Sequence, residues 1–165
     1  MTHLQQFQRE LEREAVTTRK MLSIVPTDKF DWQPHPKSMT VRSLATHIAE
    51  LPLWIDMVLK TSELDFAAEP YNPKVLADTR ELVDYFEHCL VTGREALANG
   101  DESAMDDEWT LRNGKDIYST DPKRDVLRMT MNQITHHRAQ LGVFLRLLNI
   151  PIPGSYGPSA DDASF

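Results

Sequence analysis

Three side chains have the types and spacing to do chemistry: His47, Gln133 and His137. Gln133 and His137 stand four residues apart in a segment of helical periodicity, so they share one face. Apolar or small residues at Leu127, Thr130, Ile134, Leu141, Phe144 and Leu148 trace a buried stripe there, and position 137 falls on it. His47 lies one turn after Leu44, on the flank of another apolar helical face. Polar groups facing a helical core are costly unless something satisfies them. Imidazole nitrogens bind zinc, nickel or iron, and a glutamine amide oxygen is a weaker, neutral ligand. Helical bundles build metal sites from side chains at such spacings on facing helices. A hydrogen-bonded polar cluster would satisfy the same burial without an ion, and spacing alone leaves both readings open.

The remaining reactive side chains carry less. His136 is rotated about 100° from His137 and reads as a surface residue. Arg138 reads as a structural anchor for a carboxylate. Cys89 falls on a buried helical face and has no activating neighbour in sequence, which predicts an inert thiol. His88 reads as solvated, and His3 and His35 carry no pattern. Asp101, Glu102, Asp106, Asp107 and Glu108 read as a solvated acidic loop. Nucleophile elbow, phosphate loop and paired CxxC cysteines are all missing from the chain.

Four helices must position these groups. The first spans 3–24, with Leu4, Phe7, Leu11, Ala15, Thr18, Leu22 and Val25 buried and Pro26 as its stop. A proline-bound connector follows, in which Phe30 and Trp32 fold back onto the bundle. The second helix starts at the N-cap Thr40 and runs to Lys60, with a kink or break expected at Pro52. Residues from there to about Leu76 read as irregular. The third helix runs from Asp78, with Glu81 completing a capping box, to Asn99, and Gly100 suits its C′ position. Trp109 to Tyr118 reads as a short β-hairpin turning at Asn113-Gly114. The fourth helix begins with Asp121 as N-cap and Pro122 at the first helical position, and ends near Asn149 before Pro151 and Pro153. Gly154 to Phe165 reads as an extended polar tail. The sum is an all-α four-helix bundle with a short hairpin between helices three and four, in one domain over 1–165.

A formal charge of −7 argues against nucleic-acid backbones and anionic membranes as partners. One cysteine allows no internal disulfide and suits a reducing cytoplasm. The polar N-terminal segment lacks the apolar core of a signal peptide, and no apolar run approaches a membrane span.

With these residues placed, the chain resembles the DinB/YfiT-like family of metalloenzymes. The resemblance rests on Trp32-x-Pro34, on Ser43-Leu44-Ala45-Thr46-His47-Ile48-Ala49-Glu50, on Gln133-Ile134-Thr135-His136-His137-Arg138-Ala139-Gln140-Leu141, and on the ending Pro151 to Asp161 with its Tyr156-Gly157-Pro158-Ser159 run. It implies an up-down-down-up bundle, often a homodimer. It also implies a divalent metal, nickel or zinc, held by three histidines. His47 and His137 match two of them, and Gln133 stands where the third would be. Three outcomes follow: an ion on His47, His137, Gln133 and water; recruitment of His136; or an empty site in which Gln133 bonds an imidazole. The resemblance further implies a thiol transferase using a low-molecular-weight thiol, or a hydrolase, acting on small electrophiles. The non-catalytic reading is a dimeric, stress-associated bundle with a degenerate metal site.

Overall fold

The computed structural model describes residues 1–163, so Ser164 and Phe165 of the tail lie outside the described residues. Four helices carry the fold: α1 (His3–Ser23), α2 (Val41–Lys60), α3 (Thr79–Asn99) and α4 (Lys123–Leu147). Three strands accompany them: β1 (Glu63–Asp65), β2 (Glu108–Asn113) and β3 (Asp116–Pro122). Both α1 and α2 pack on α3 and on α4, while α1 and α2 barely touch. These two helices therefore lie diagonally across the bundle.

Local sequence accounts for most of the helix ends. Thr2 and Gln5 form a reciprocal capping box on α1. Thr40 Oγ1 accepts from the Ser43 amide at α2, and the Asp78 carboxylate accepts from the Glu81 amide at α3. The inner faces are those that the periodicity predicts on α1 and α2, with Leu11, Leu22, Leu44, Ile48, Leu51 and Ile55 at the centre. Each such side chain contributes about 1.5–3 kcal/mol of burial. Phe30 is buried, and Trp32 packs edge-on against Phe144 at 5.8 Å.

Several expectations need correction. Helix α2 runs through Pro52 without the break that is one of the two outcomes expected there. The closest approach of α3 lies there: a Cβ on Gly93 would sit 2.8 Å from the Pro52 carbonyl oxygen. Gly100 ends α3 in extended backbone (φ −68°), where no left-handed glycine is needed. Asp121 is no N-cap. It pairs with Trp109 in the sheet, and β3 continues to Pro122, which takes the cap position without a side-chain bond. Strand pairing there supplies what a cap would otherwise supply.

The segment after α2 is not wholly irregular, because β1 pairs in parallel with β2. The hairpin is thus two strands of a three-stranded sheet ordered β1-β2-β3. Its turn lies one residue later than the sequence suggests. Asn113 pairs with Asp116, leaving Gly114 and Lys115 as the central residues, and Gly114 has φ +60°. A positive φ at the first central position alone is the requirement of a II′ turn. Asp65 holds this turn from outside, accepting from the Gly114 amide at 2.7 Å. Trp109 anchors the sheet to the helices: it is buried, and its indole N–H donates to Thr61 Oγ1 at 3.0 Å.

Helix α4 also differs from its predicted stripe. Its buried side runs through Leu127, Thr130, Ile134, Arg138, Leu141 and Leu145, and His137 lies at the edge, half-buried. Arg138 is buried because α1 supplies its partners. Its Nη1 lies 2.7 Å from Glu14 Oε2 and donates to Thr18 Oγ1 at 3.0 Å. The Tyr156 ring stacks over the same guanidinium, and its hydroxyl donates to Glu14 Oε1 at 2.8 Å. The tail, irregular in form, is therefore pinned to the bundle.

Replacing Gly93 by alanine should force α2 and α3 apart at Pro52. We expect a loss of about 1–3 kcal/mol in urea unfolding of Gly93→Ala, with the helical circular dichroism of the native state preserved.

Candidate functional site

His47 and His137 come from different helices and meet edge to face, with ring centroids 4.7 Å apart. Both line a cavity of about 180 Å³, together with Gln133, Thr130, Trp54 and Leu111. Position 47 projects from α2 toward α4, positions 130, 133 and 137 belong to α4, and Leu111 of β2 closes one side. The sheet, standing on Trp109, thus helps to wall the site.

Each ring is tied by one nitrogen. His47 Nδ1 donates to Glu50 Oε1 at 2.8 Å, since a carboxylate oxygen can only accept. Tyr71 donates its hydroxyl to the same oxygen at 2.5 Å. Burial and the Glu50 carboxylate push the Tyr71 phenol well above its ordinary value, so it stays protonated and donates. His137 Nδ1 donates to Gln140 Oε1 at 3.1 Å, and the Gln140 amide nitrogen reaches His136 Nε2 at 3.1 Å. Gln140 thereby bridges the two adjacent histidines of α4. Among the described residues neither His47 Nε2 nor His137 Nε2 has a hydrogen-bond partner. A neutral imidazole that donates through Nδ1 keeps its lone pair on Nε2.

Electrostatics keep His137 in that neutral form. Burial first, then the nearby His47 and His136 rings, lower its pKa from the usual 6.5, against the bond to Gln140. An imidazole held by an acceptor on Nδ1, with Nε2 facing a cavity, is the arrangement in which histidine meets a metal. Gln133 adds an amide to the cavity wall. Among the described residues, however, no group of three or more His, Cys, Asp or Glu side chains comes together as a metal site does. The side chains that could hold an ion at this cavity are thus two imidazoles and one neutral amide.

The structure brings together His47, Gln133 and His137 at one cavity. It leaves His136 exposed and outside the cavity lining, as Gln140's second partner. Arg138 is a structural anchor held by Glu14; it lies outside the imidazole cavity and borders the groove between α4 and the tail instead. Glu50 and Tyr71 are functional candidates that sequence reasoning missed. Glu50 had a readable signal: it follows His47 by three residues on one helix, and so can reach its ring. Tyr71 had none, because a connector of 18 residues separates α2 from α3.

Comparison with known proteins agrees with this architecture. A sequence profile described as the DinB family matches residues 1–164. The chain belongs to the DinB family. Uncharacterized protein YrdA of Bacillus subtilis (strain 168) is 22% identical to this DinB-family chain over 163 residues, covering 96% of it and 91% of YrdA. The crystal structure of YjoA, a DinB-like protein of Bacillus subtilis, superposes with a TM-score of 0.70 at 18% identity, covering 91% of this chain and 96% of that one. The mycothiol-dependent maleylpyruvate isomerase shares the fold with a TM-score of 0.61 at 16% identity, over 86% of this chain and 63% of its own. These structural likenesses establish the fold alone. Among the described residues no helix is long and apolar enough to cross a membrane.

Cys89 lines no wall of the imidazole cavity. It is buried on α3, and burial pushes its thiol up to about 11. Since the thiolate is the reactive form, we expect negligible alkylation by iodoacetamide in native protein at about pH 8 and full alkylation in denaturant, read by mass spectrometry.

Proposed function

We propose that this DinB-family chain binds a divalent cation, nickel or zinc, at His47, His137 and Gln133. In this reading it acts on small electrophiles, as a transferase using a low-molecular-weight thiol or as a hydrolase. The observation that carries the proposal is the meeting of two imidazoles from separate helices at one cavity, each with Nδ1 tied and with Nε2 unpartnered among the described residues. The fold shared with a mycothiol-dependent isomerase supports a thiol co-substrate. A bound cation would supply Lewis acidity, favouring deprotonation of a thiol or water in the cavity. The chain's own residues do the rest. Glu50 and Gln140 fix the two rings in the tautomer and orientation that point Nε2 away from the helices' own acceptors. Leu51, Trp54 and Leu111 keep the cavity largely apolar, which strengthens electrostatic effects within it. Gln133 supplies a neutral amide, so a cation held here keeps more of its positive charge than beside a carboxylate.

We further propose a cytoplasmic homodimer in the up-down-down-up order that the resemblance implies, with neither nucleic acid nor membrane as partner, in keeping with the acidic charge. A second reading has a specific observation in its favour: an amide occupies the position of a third imidazole. The protein would then be a non-catalytic, stress-associated bundle whose metal site is degenerate or empty.

Metal analysis of protein purified without an affinity tag separates the two readings. Stoichiometric nickel or zinc, or saturable uptake of either, is the expected outcome, and neither retention nor uptake would leave the second reading. Gln133→His should raise affinity for the ion, because it replaces a weak oxygen donor by an imidazole. Glu50→Ala should lower it by about 10–100-fold, by freeing the His47 ring. Titration calorimetry reads both.

A further inference from the structure

A separate cavity of about 270 Å³ opens between α2 and the segment that follows it. Its walls are Trp54 and Met57 of α2, Leu64 of β1, and Phe66 and Tyr71 of the connector. Trp54 lines this cavity and the imidazole cavity alike. Glu50 lines it too, and the same carboxylate receives both the Tyr71 hydroxyl and the His47 ring. The two spaces therefore share one aromatic partition and one hydrogen-bonded wall.

We propose that this pocket binds the apolar, non-anionic body of a small molecule of one or two rings, placing its reacting end at the His47–His137 cavity past Trp54. Three observations carry the assignment. First, the lining is aromatic and aliphatic with few polar groups, the usual make-up of a small-molecule site. Second, the charged groups on it are the carboxylates of Glu50 and Glu69, with no lysine or arginine among the lining residues. On a chain of net charge −7 such a rim disfavours anions and tolerates neutral or cationic ligands. Third, the outer wall is fixed. Tyr71 is tied to Glu50 at 2.5 Å and stands edge-on to His47 at 6.4 Å, and the Phe66 amide donates to Arg112 O at 3.0 Å. A wall held from both sides gives a preformed pocket, which lowers the ordering cost of binding. The role of the pocket as a substrate site rests on the metal-site reading above, whereas its capacity to bind does not.

The test is a fluorescence titration of metal-free protein with neutral N-phenylnaphthylamine and with the anionic anilinonaphthalene sulfonate. The neutral probe is expected to bind saturably, and the anion at least about tenfold more weakly. Met57→Arg puts a cation into the pocket and should weaken the neutral probe at least about tenfold while narrowing the gap to the anion. Phe66→Ala removes one wall, and should also weaken the neutral probe if the arginine variant fails to fold by circular dichroism. Val143→Arg alters the other apolar groove, between α4 and the tail, and should change nothing. Equal binding of the two probes, absence of saturation, or loss of binding in Val143→Arg with retention in Met57→Arg would overturn the proposal. Nickel uptake on the same samples keeps the two readings apart. Probe binding without uptake retains the pocket and removes the metal site, and uptake without probe binding does the reverse.

Discussion

Helix α2 is wedged between α3 and α4, and the site depends on that wedge. Its inner face, Val41, Leu44, Ile48, Leu51, Ile55 and Val58, is almost wholly withdrawn from water. Burial on this scale outweighs the propensity cost of Pro52 at mid-helix, about 3 kcal/mol in an isolated helix. On the α3 side, Gly93 lets the backbones approach at Pro52 more closely than any side chain would permit. On the α4 side, the edge of the same apolar face carries His47 to His137. Helix packing, not any bond between the rings, brings the imidazoles together.

The polar groups at the margins of the core are arranged so that each satisfies another. Arg138 would be an expensive charge to bury alone. Glu14, Thr18 and the Tyr156 ring surround it, and the tail is thereby tied to α1. The same logic holds the site. Glu50 is buried because two donors, His47 and Tyr71, converge on one oxygen. The difference lies in what remains unmet. Arg138 spends its donors within the protein, whereas among the described residues the two rings each keep a ring nitrogen without a partner.

The small sheet belongs to the same design. A two-stranded hairpin is marginal in water, but β1 adds a third strand and Trp109 fills the space beneath. Its product for the site is Leu111, one apolar wall of the imidazole cavity. The connector between β1 and α3 serves in turn as wall to the neighbouring apolar pocket, through Phe66 and Tyr71. The two connectors between helices thus add Leu76, Met105 and Trp109 to the bundle's core and shape the space around its histidines.

The sequence by itself determined the four helices, most of their caps and the apolar faces of α1 and α2, because these follow from local periodicity and from side chains bonding amides two or three residues away. It also singled out His47, Gln133 and His137, since residues four apart on a helix share a face in any tertiary setting. Only the tertiary structure decided the rest. Whether Arg138 or His137 turns inward depends on Glu14, more than a hundred residues earlier in the chain. Strand β1 is too short to show a period of its own, and exists because β2 offers it a parallel edge. Asp121 looked like a helix cap and became a strand residue because Trp109 lies opposite it. Tyr71 reached Glu50 by the course of a connector with no pattern to read. In each case the deciding energy is a contact between segments distant in sequence, which no local window contains.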